Sequence, residues 1–224
     1  MKETEEIKPA EEKSFVRSKS SQRTLTISGA ASFGALSLVL SAILAPIIPR
    51  VPGWGIAYLD PVSIVWIMCF FIFGAKAGLL CCVIGTLGLM PFDPFAPIGP
   101  LMKFSATVVL IVIPMLLLKL NKTKEGIKNS QKIKKISNFA ITSVLGVLLR
   151  IVIMMWFNAL LFLTIFSDAF AYANLEFLGL PNVTGWLAII IMVIFINAET
   201  SLWDLLIPYL TVFGLKLDDK FEIW

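Results

Sequence analysis

The chain has 224 residues, of which 58% are hydrophobic and 15% are charged, and it carries a formal net charge of +4. Soluble domains are roughly 45–50% apolar and about 25% charged, so this composition indicates an integral membrane protein and excludes a second, soluble domain. The positive residues flank apolar stretches, where membrane orientation and anionic lipid headgroups account for them, and nucleic-acid binding is excluded.

Several chemistries are excluded by the residues that are missing. There is no histidine, so His-dependent triads, Cys-His pairs and HExxH metal sites are unavailable. The sequence also has no GxxxxGK[ST] phosphate-binding loop. The three cysteines, Cys69, Cys81 and Cys82, lie in apolar stretches, where a thiol behaves as a small hydrophobe. We therefore expect no enzyme activity, no catalytic residue, no metal site and no cofactor.

The chain begins with a polar segment and then becomes apolar. Residues 1–24 are rich in Glu, Lys and Arg, and we expect them to form a disordered cytoplasmic tail. The first span is predicted from about Leu25 to Ile48, where Pro49 and Pro52 disfavour a continuing helix.

The next apolar stretch, Pro61 to Met90, is either one long tilted helix or two short helices that turn at Phe73–Gly78. A single helix would place the lysine-rich loop of residues 119–135 opposite the basic tail, against the positive-inside rule. Two helices place every Lys and Arg on the cytoplasmic side except Arg50, Lys103 and Arg150. We therefore predict two helices.

The remaining spans are predicted at about Gly99–Leu120, at Ile136–Phe157 with an apolar continuation to Phe166, and at Val183–Tyr209. The predicted fold class is an all-α, multi-pass protein of the cell membrane. It has six transmembrane helices within residues 25–210, both termini cytoplasmic, and a short cytoplasmic tail at 211–224. Helices two and three are short for a core of roughly 30 Å, so we expect tilting, local thinning or shielding by a partner protein.

Three loops would then face the outside: Arg50–Asp60, Pro91–Ile98 and Ser167–Asn182. They are rich in aromatic and acidic residues. Such aromatic residues form either an interfacial belt or a lid over an outward-facing pocket that suits a planar heterocyclic ligand. The candidate ligand residues in the first two loops are Trp54, Tyr58, Asp60, Phe92, Asp93 and Phe95.

Some polar residues lie inside the apolar spans. Lys103 and Arg150 fall in the outer half of their helices, where a cation is by default a functional candidate. The alternatives are that Lys103 snorkels to the headgroups and that Arg150 forms a structural ion pair. Asn158 lies near the same helix face as Arg150. In the last helix, Asn197, Glu199 and Asp204 fall toward the cytoplasmic end. They form a proton or cation relay, contact another subunit, or lie at the level of the headgroups.

Four features spread over about residues 28–210 resemble a known family. Ala31-Ser32-Phe33-Gly34-Ala35 is an AxxxA segment within a stripe of small residues, which serves either internal packing or docking of another membrane subunit. Leu59-Asp60-Pro61 leads to Phe73-Gly74-Ala75-Lys76-Ala77-Gly78, which is similar to an FGPxAG turn. Ile98-Gly99-Pro100-Leu101-Met102-Lys103-Phe104 follows, and the fourth feature comprises Arg150, Asn158 and Pro181-Asn182.

In this order these features resemble the S components, the substrate-capturing membrane subunits of energy-coupling factor transporters for vitamins, and most closely the riboflavin-type members. The resemblance implies a six-helix binding subunit that captures one vitamin on its outer side, with riboflavin or a related flavin as the first expectation. It also implies a transmembrane coupling subunit and two cytoplasmic ATPases as partners. Lys103 stands where riboflavin members tend to have Asn, and Ala75 where Pro is usual.

The resemblance completes the set of candidate residues. Those for the ligand are Trp54, Tyr58, Asp60, Phe92, Asp93, Phe95, Lys103, Arg150, Asn158 and Asn182, and those for subunit docking are Ala31 and Ala35.

Two alternatives of other classes stay open. The first is a stand-alone ion- or proton-coupled carrier with Glu199, Asp204 and Arg150 as the relay. The second is a membrane enzyme that uses Asp60 and Asp93 as acid and base.

Overall fold

The computed structural model describes residues 19–120, 128–221 and 224. A two-stranded antiparallel sheet pairs β1 (Asn174–Leu175) with β2 (Leu180–Thr184), and short 3₁₀ helices lie at Asp168–Tyr172 and Glu176–Leu178. The α-helices of this part of the chain are α1 (Lys19–Leu44), α2 (Pro61–Phe73), α3 (Ala75–Leu89), α4 (Ile98–Leu120), α5 (Asn129–Lys134), α6 (Ile136–Thr164), α7 (Gly185–Gly214) and α8 (Leu217–Phe221).

The long helices are those of a membrane-embedded protein. Four helices, α1, α4, α6 and α7, are long and apolar enough to cross a membrane. The helices α2 and α3 have 13 and 15 residues, which corresponds to about 20 Å and about 22 Å at a rise of 1.5 Å per residue. The described part of the chain is therefore predominantly helical, with four helices of spanning length and two shorter apolar ones. The six predicted spans remain a prediction.

Gly74 separates α2 from α3, which confirms the prediction of two short helices. Its φ of 89° and ψ of 175° lie in a region that glycine adopts readily and that other residues avoid. Its backbone N–H donates to the Phe70 carbonyl at 2.8 Å and closes the end of α2. The turn between α2 and α3 therefore requires glycine at position 74.

The short helix α2 lies at the centre of the bundle, where α1, α3, α4 and α7 pack around it. All of its residues except Met68 are buried. Trp66 donates its indole N–H to Ser37 Oγ of α1 at 3.0 Å and lies directly against Gly85 of α3. Because helices of the same chain enclose α2, little of its surface is left to face lipid.

Several helix ends differ from the predicted ones. Helix α1 begins at Lys19, so residues 19–24 are helical where a disordered tail was expected, and the rest of that predicted tail lies outside the described residues. It ends at Leu44, earlier than predicted, because Pro46 disfavours the helical conformation at Ala45. Helix α7 continues past the predicted end at Tyr209 and contains Pro208.

The end of the chain packs against the bundle instead of leaving it as a tail. The Trp224 indole N–H donates to the Phe71 carbonyl at 3.1 Å, and its ring lies against Gly74. Asp218, which is buried, and Asp219 each lie 3.2 Å from Lys134 Nζ. Desolvation alone would lower the pKa of Lys134, but the hydrogen bonds and charges of the two carboxylates raise it above its ordinary value.

The loop between α6 and α7 contains the sheet, which adds a β-element to the all-α fold that was predicted. Asn174 pairs with Thr184 and Leu175 with Leu180. Leu175 is fully buried against Val51 and Met192, so it fixes this loop to α7. The loop therefore forms an ordered cover over one end of the bundle.

Candidate functional site

A cavity of about 990 Å³ lies between α1, α2, α4, α6 and α7 at the end of the bundle where the three predicted outer loops meet. Ligand pockets in proteins commonly have volumes of roughly 300–1,000 Å³ and mostly apolar walls with a few polar groups. This cavity has that character, because apolar and aromatic side chains form most of its wall. Its volume is large enough for a drug-sized or vitamin-sized molecule.

One side of the cavity is formed by an ion pair between Asp60 and Lys103. Asp60 precedes Pro61, the first residue of α2, and caps that helix by accepting the Val62 N–H at 3.1 Å. Lys103 Nζ of α4 donates to Asp60 Oδ1 at 3.0 Å. Ser63 Oγ donates to Asp60 Oδ2 at 3.1 Å. Lys103 thus has a carboxylate partner within the protein, and its side chain is only 33% exposed.

The deep end of the cavity, called the floor below, is formed by Arg150 of α6 and three residues of α7. Arg150 is 5% exposed. Its Nη1 donates to Asp204 Oδ2 at 2.7 Å and its Nη2 to Thr200 Oγ1 at 3.0 Å. Its Nε donates to Asn197 Oδ1 at 3.2 Å. Arg150 is therefore held in a buried ion pair, the alternative raised from the sequence, and it also lines the cavity together with Asn197 and Thr200.

Trp54 joins the first loop to the third. Its indole N–H donates to the Asn174 carbonyl at 3.0 Å, and its ring packs edge-on against Phe162 of α6 at 6.4 Å between centroids. The ring also lines the cavity. A single side chain thus forms part of the wall and connects two covering segments.

The surface end of the cavity, called the rim below, is formed by the second loop and by Tyr172. Phe92 is 80% exposed and Phe95 is 59% exposed, so large apolar surfaces lie in the open here. Asp93 shapes this loop by accepting the Phe95 N–H at 2.8 Å. A Cβ at Gly99 would lie 2.7 Å from Asp93 Oδ1, so glycine permits this close approach.

The structure brings most of the candidate ligand residues to one cavity. Those that line it are Trp54, Asp60, Phe92, Asp93, Phe95, Lys103, Arg150 and Asn158. Two candidates lie elsewhere. Tyr58 packs beneath the loops against the buried cluster of Val51, Leu175 and Met192, because its ring is apolar enough to join that cluster. Asn182 is exposed on β2, away from the lining.

The sequence singles out Asn197 and Asp204 of α7 and groups Asp204 with Arg150 only in the relay alternative, whereas Thr200 and the direct contact of all three residues with Arg150 were not predicted. Asn197, Thr200 and Asp204 are spaced three and four residues apart, which places them on one face of a helix. A buried arginine needs a carboxylate and further acceptors. The spacing of these residues and the need of a buried arginine for acceptors together indicate that this face of α7 contacts Arg150.

The other predicted residues lie away from the cavity. Glu199 accepts a hydrogen bond from Trp203 Nε1 at 2.6 Å and is not among the partners of Arg150. Ala31 and Ala35 are exposed on α1, whereas the neighbouring Ala30 and Gly34 are buried against the bundle. The AxxxA segment therefore presents its two alanines outward.

No family model, no curated protein and no solved structure matches this chain.

Proposed function

We propose that this chain is the substrate-binding membrane subunit, or S component, of an energy-coupling factor transporter. It captures a vitamin from the outer side for ATP-driven uptake by partner subunits, and riboflavin or a related flavin is the first candidate. The observation that carries the proposal is the cavity of about 990 Å³ beneath the three covering loops. A mostly apolar cavity of this size with a few convergent polar groups suits the binding of a small molecule.

The lining matches what a flavin needs. Trp54, Phe92 and Phe95 offer aromatic faces for an isoalloxazine ring. Asn158 and Asn197 each donate one amide N–H to their own helix, at Met154 and Val193, and have a second N–H for a ligand carbonyl or ring nitrogen. The Thr200 hydroxyl donates to the Ile196 carbonyl and can accept from a ribityl hydroxyl. Pairing these groups matters, because a buried polar atom left without a hydrogen bond costs about 1–3 kcal/mol.

The outward-facing alanines of α1 support a docking role. Ala31 and Ala35 are exposed, so another membrane helix can approach the α1 backbone closely there. In this proposal they contact the transmembrane coupling subunit, and two cytoplasmic ATPases supply the energy. The proposal also places six spans in the cell membrane with both termini in the cytoplasm.

The test is a riboflavin titration of the detergent-purified protein, followed by quenching of flavin fluorescence. We expect tight, saturable binding that a cavity-filling substitution, Ala42→Trp, weakens at least tenfold. The matched control is Ala140→Trp, because Ala140 is likewise an exposed helical alanine but does not line the cavity. Absence of saturable binding by the unaltered protein, or equal weakening by both substitutions, would contradict the proposal.

One observation favours a second candidate, the stand-alone proton-coupled carrier. Asp204 is fully buried beside Arg150, and its Oδ1 has no hydrogen-bond partner among the described residues. A buried carboxylate in a transmembrane helix is a feature of proton relays. Proteoliposomes that contain this chain alone decide between the candidates: riboflavin uptake driven by a pH gradient without ATP favours the carrier, and uptake that requires the coupling subunit and ATPases favours the S component.

A further inference from the structure

We infer that the molecule bound in the cavity carries no net charge at neutral pH. This inference rests on the proposed function and narrows it to one class of ligand. Flavins and other heterocycles without an ionised group fall within this class, whereas phosphorylated or cationic vitamins fall outside it.

The first observation is a balance of charges around the cavity. The cationic side chains that line it are Arg50, Lys103 and Arg150. The carboxylates that line it are Asp60 and Asp93, and Asp204 lies directly behind Arg150 at 2.7 Å. Cations and carboxylates are therefore equal in number around this site.

The second observation is that Arg150 and Lys103 are each already paired with a carboxylate of the protein. Asp204 lies 2.7 Å from Arg150 Nη1, with side-chain exposures of 0% and 7%. Asp60 lies 3.0 Å from Lys103 Nζ. A carboxylate at such a short distance compensates its cation, most strongly at Arg150, where water is excluded, so neither cation presents an unpaired charge to a ligand.

The remaining charges that line the cavity, Arg50 in the first loop and Asp93 at the rim, lie near the surface. Arg50 is exposed and donates to the Gly55 carbonyl at 2.7 Å. Asp93 accepts the Phe95 N–H at 2.8 Å. Water and dissolved ions screen charges in such positions. Arg50 and Asp93 therefore contribute little to whether the cavity favours an anionic or a cationic ligand.

A charged ligand would consequently lose its hydration in the cavity without meeting an unpaired opposite charge. Burial of an unpaired charge is strongly unfavourable, and capture of Arg150 or Lys103 by an anion would leave Asp204 or Asp60 without its partner. A neutral heterocycle avoids both losses and can still use the hydrogen-bonding groups of Asn158, Asn197 and Thr200.

Three matched probes test this inference: riboflavin, its 5′-phosphate, and an analogue with an amine in place of the 5′-hydroxyl. The phosphate adds a charge of roughly −1.5 to −2 near pH 7. Dissociation constants are measured by fluorescence titration of the purified protein. We expect both charged probes to bind at least about tenfold more weakly than riboflavin. A charged probe that binds within threefold of riboflavin overturns the inference while the proposed function survives.

Charge variants separate the effect of charge from that of size. Asp60→Asn leaves Lys103 uncompensated and should reduce the loss of affinity of riboflavin 5′-phosphate, relative to riboflavin, at least threefold. Lys103→Met leaves Asp60 uncompensated and should reduce the loss of affinity of the amine analogue relative to riboflavin. The control is Asp168→Asn, because Asp168 is exposed and does not line the cavity. If the charged probes lose as much affinity relative to riboflavin in both charge variants as in the unaltered protein, the inference is overturned. Failure of all three probes to bind the unaltered protein contradicts the flavin proposal and removes this inference with it.

Discussion

Arg150 of α6 and Asp204 of α7 form an ion pair at 2.7 Å that is almost completely shielded from solvent. The pair joins the two long helices at the floor of the cavity, and Asn197 and Thr200 accept two further hydrogen bonds from the guanidinium group. One contact thus contributes both to the packing of α6 against α7 and to the polar surface that a ligand meets.

Removal of one member of this pair should destabilise the bundle. We expect Arg150→Met and Asp204→Leu, each alone, to lower the stability by about 3–5 kcal/mol, because the remaining charge is left buried without its partner. The double variant should recover most of that loss, since a buried ion pair can often be replaced by apolar groups of similar volume. The measurement is thermal unfolding in detergent, followed by intrinsic fluorescence.

The control for this series is Arg50→Met, which removes an exposed arginine without a carboxylate partner among the described ion pairs. Its unfolding temperature should stay within about a degree or two of the original, since exposed charges contribute little. A double variant as unstable as the sum of the single variants would show that the pair is not what holds α6 to α7.

Trp54 should be important for ligand affinity. Trp54→Phe keeps an aromatic wall but loses the hydrogen bond to the Asn174 carbonyl, so we expect it to lower the stability by about 1 kcal/mol and to weaken riboflavin binding less than Trp54→Ala does. Trp54→Ala also removes the ring and should weaken riboflavin binding at least about tenfold. Trp156→Ala is the control, because Trp156 is 70% exposed and lies outside the lining. Equal losses in Trp54→Ala and Trp156→Ala would argue against Trp54 as a cavity wall.

The turn between α2 and α3 should tolerate no side chain. At Gly74, φ is 89° and a Cβ would lie 2.9 Å from the ring of Trp224, so Gly74→Ala combines backbone strain with a steric clash. We expect it to lower the stability by about 1–3 kcal/mol. Gly214→Ala is the matched control, since nothing lies within 4 Å of the added Cβ and its φ is ordinary for any residue. If both substitutions leave the unfolding temperature unchanged, the turn is not constrained as the structure indicates.

The helical elements were largely predictable because each depends on local sequence. Apolar length determines α4, α6 and α7, and the glycine at position 74 determines where α2 ends. Helix α1 ends at Leu44, before the predicted Ile48, because Pro46 precedes Pro49 in the chain and already disfavours the helical conformation at Ala45. The strands β1 and β2 were not predicted, since their pairing depends on packing of Leu175 against Val51 and Met192, which the sequence does not reveal.

The candidate site was predictable only where aromatic and charged residues stand out in apolar or loop sequence. Trp54, Lys103 and Arg150 were found in this way. Asp204 was grouped with Arg150 only as part of a relay, and the direct contacts of Arg150 with Asn197, Thr200 and Asp204 were not predicted, because the pairing of helix faces is a tertiary property. Tyr58 was assigned to the ligand since an aromatic residue in a loop has the same appearance whether it lines a cavity or packs beneath it.

The predicted orientation can be tested with a matched pair of asparagines. Asn129 at the start of α5 and Asn182 on β2 are both exposed, and the native cysteines are all buried. We expect Asn182→Cys to react with a membrane-impermeant maleimide in intact cells, and Asn129→Cys to react only after permeabilisation. Labelling of Asn129→Cys in intact cells would reverse the topology and place the cavity on the inner side.

Native mass spectrometry tests the binding of a flavin most directly. The protein is solubilised gently from cells grown with riboflavin and is measured before and after addition of free riboflavin. We expect a retained mass equal to one riboflavin per chain, present in the unaltered protein and lost in Ala42→Trp. A protein that stays ligand-free in both preparations, or that retains only a phosphorylated or cationic molecule, would contradict the proposal of a neutral flavin in this cavity.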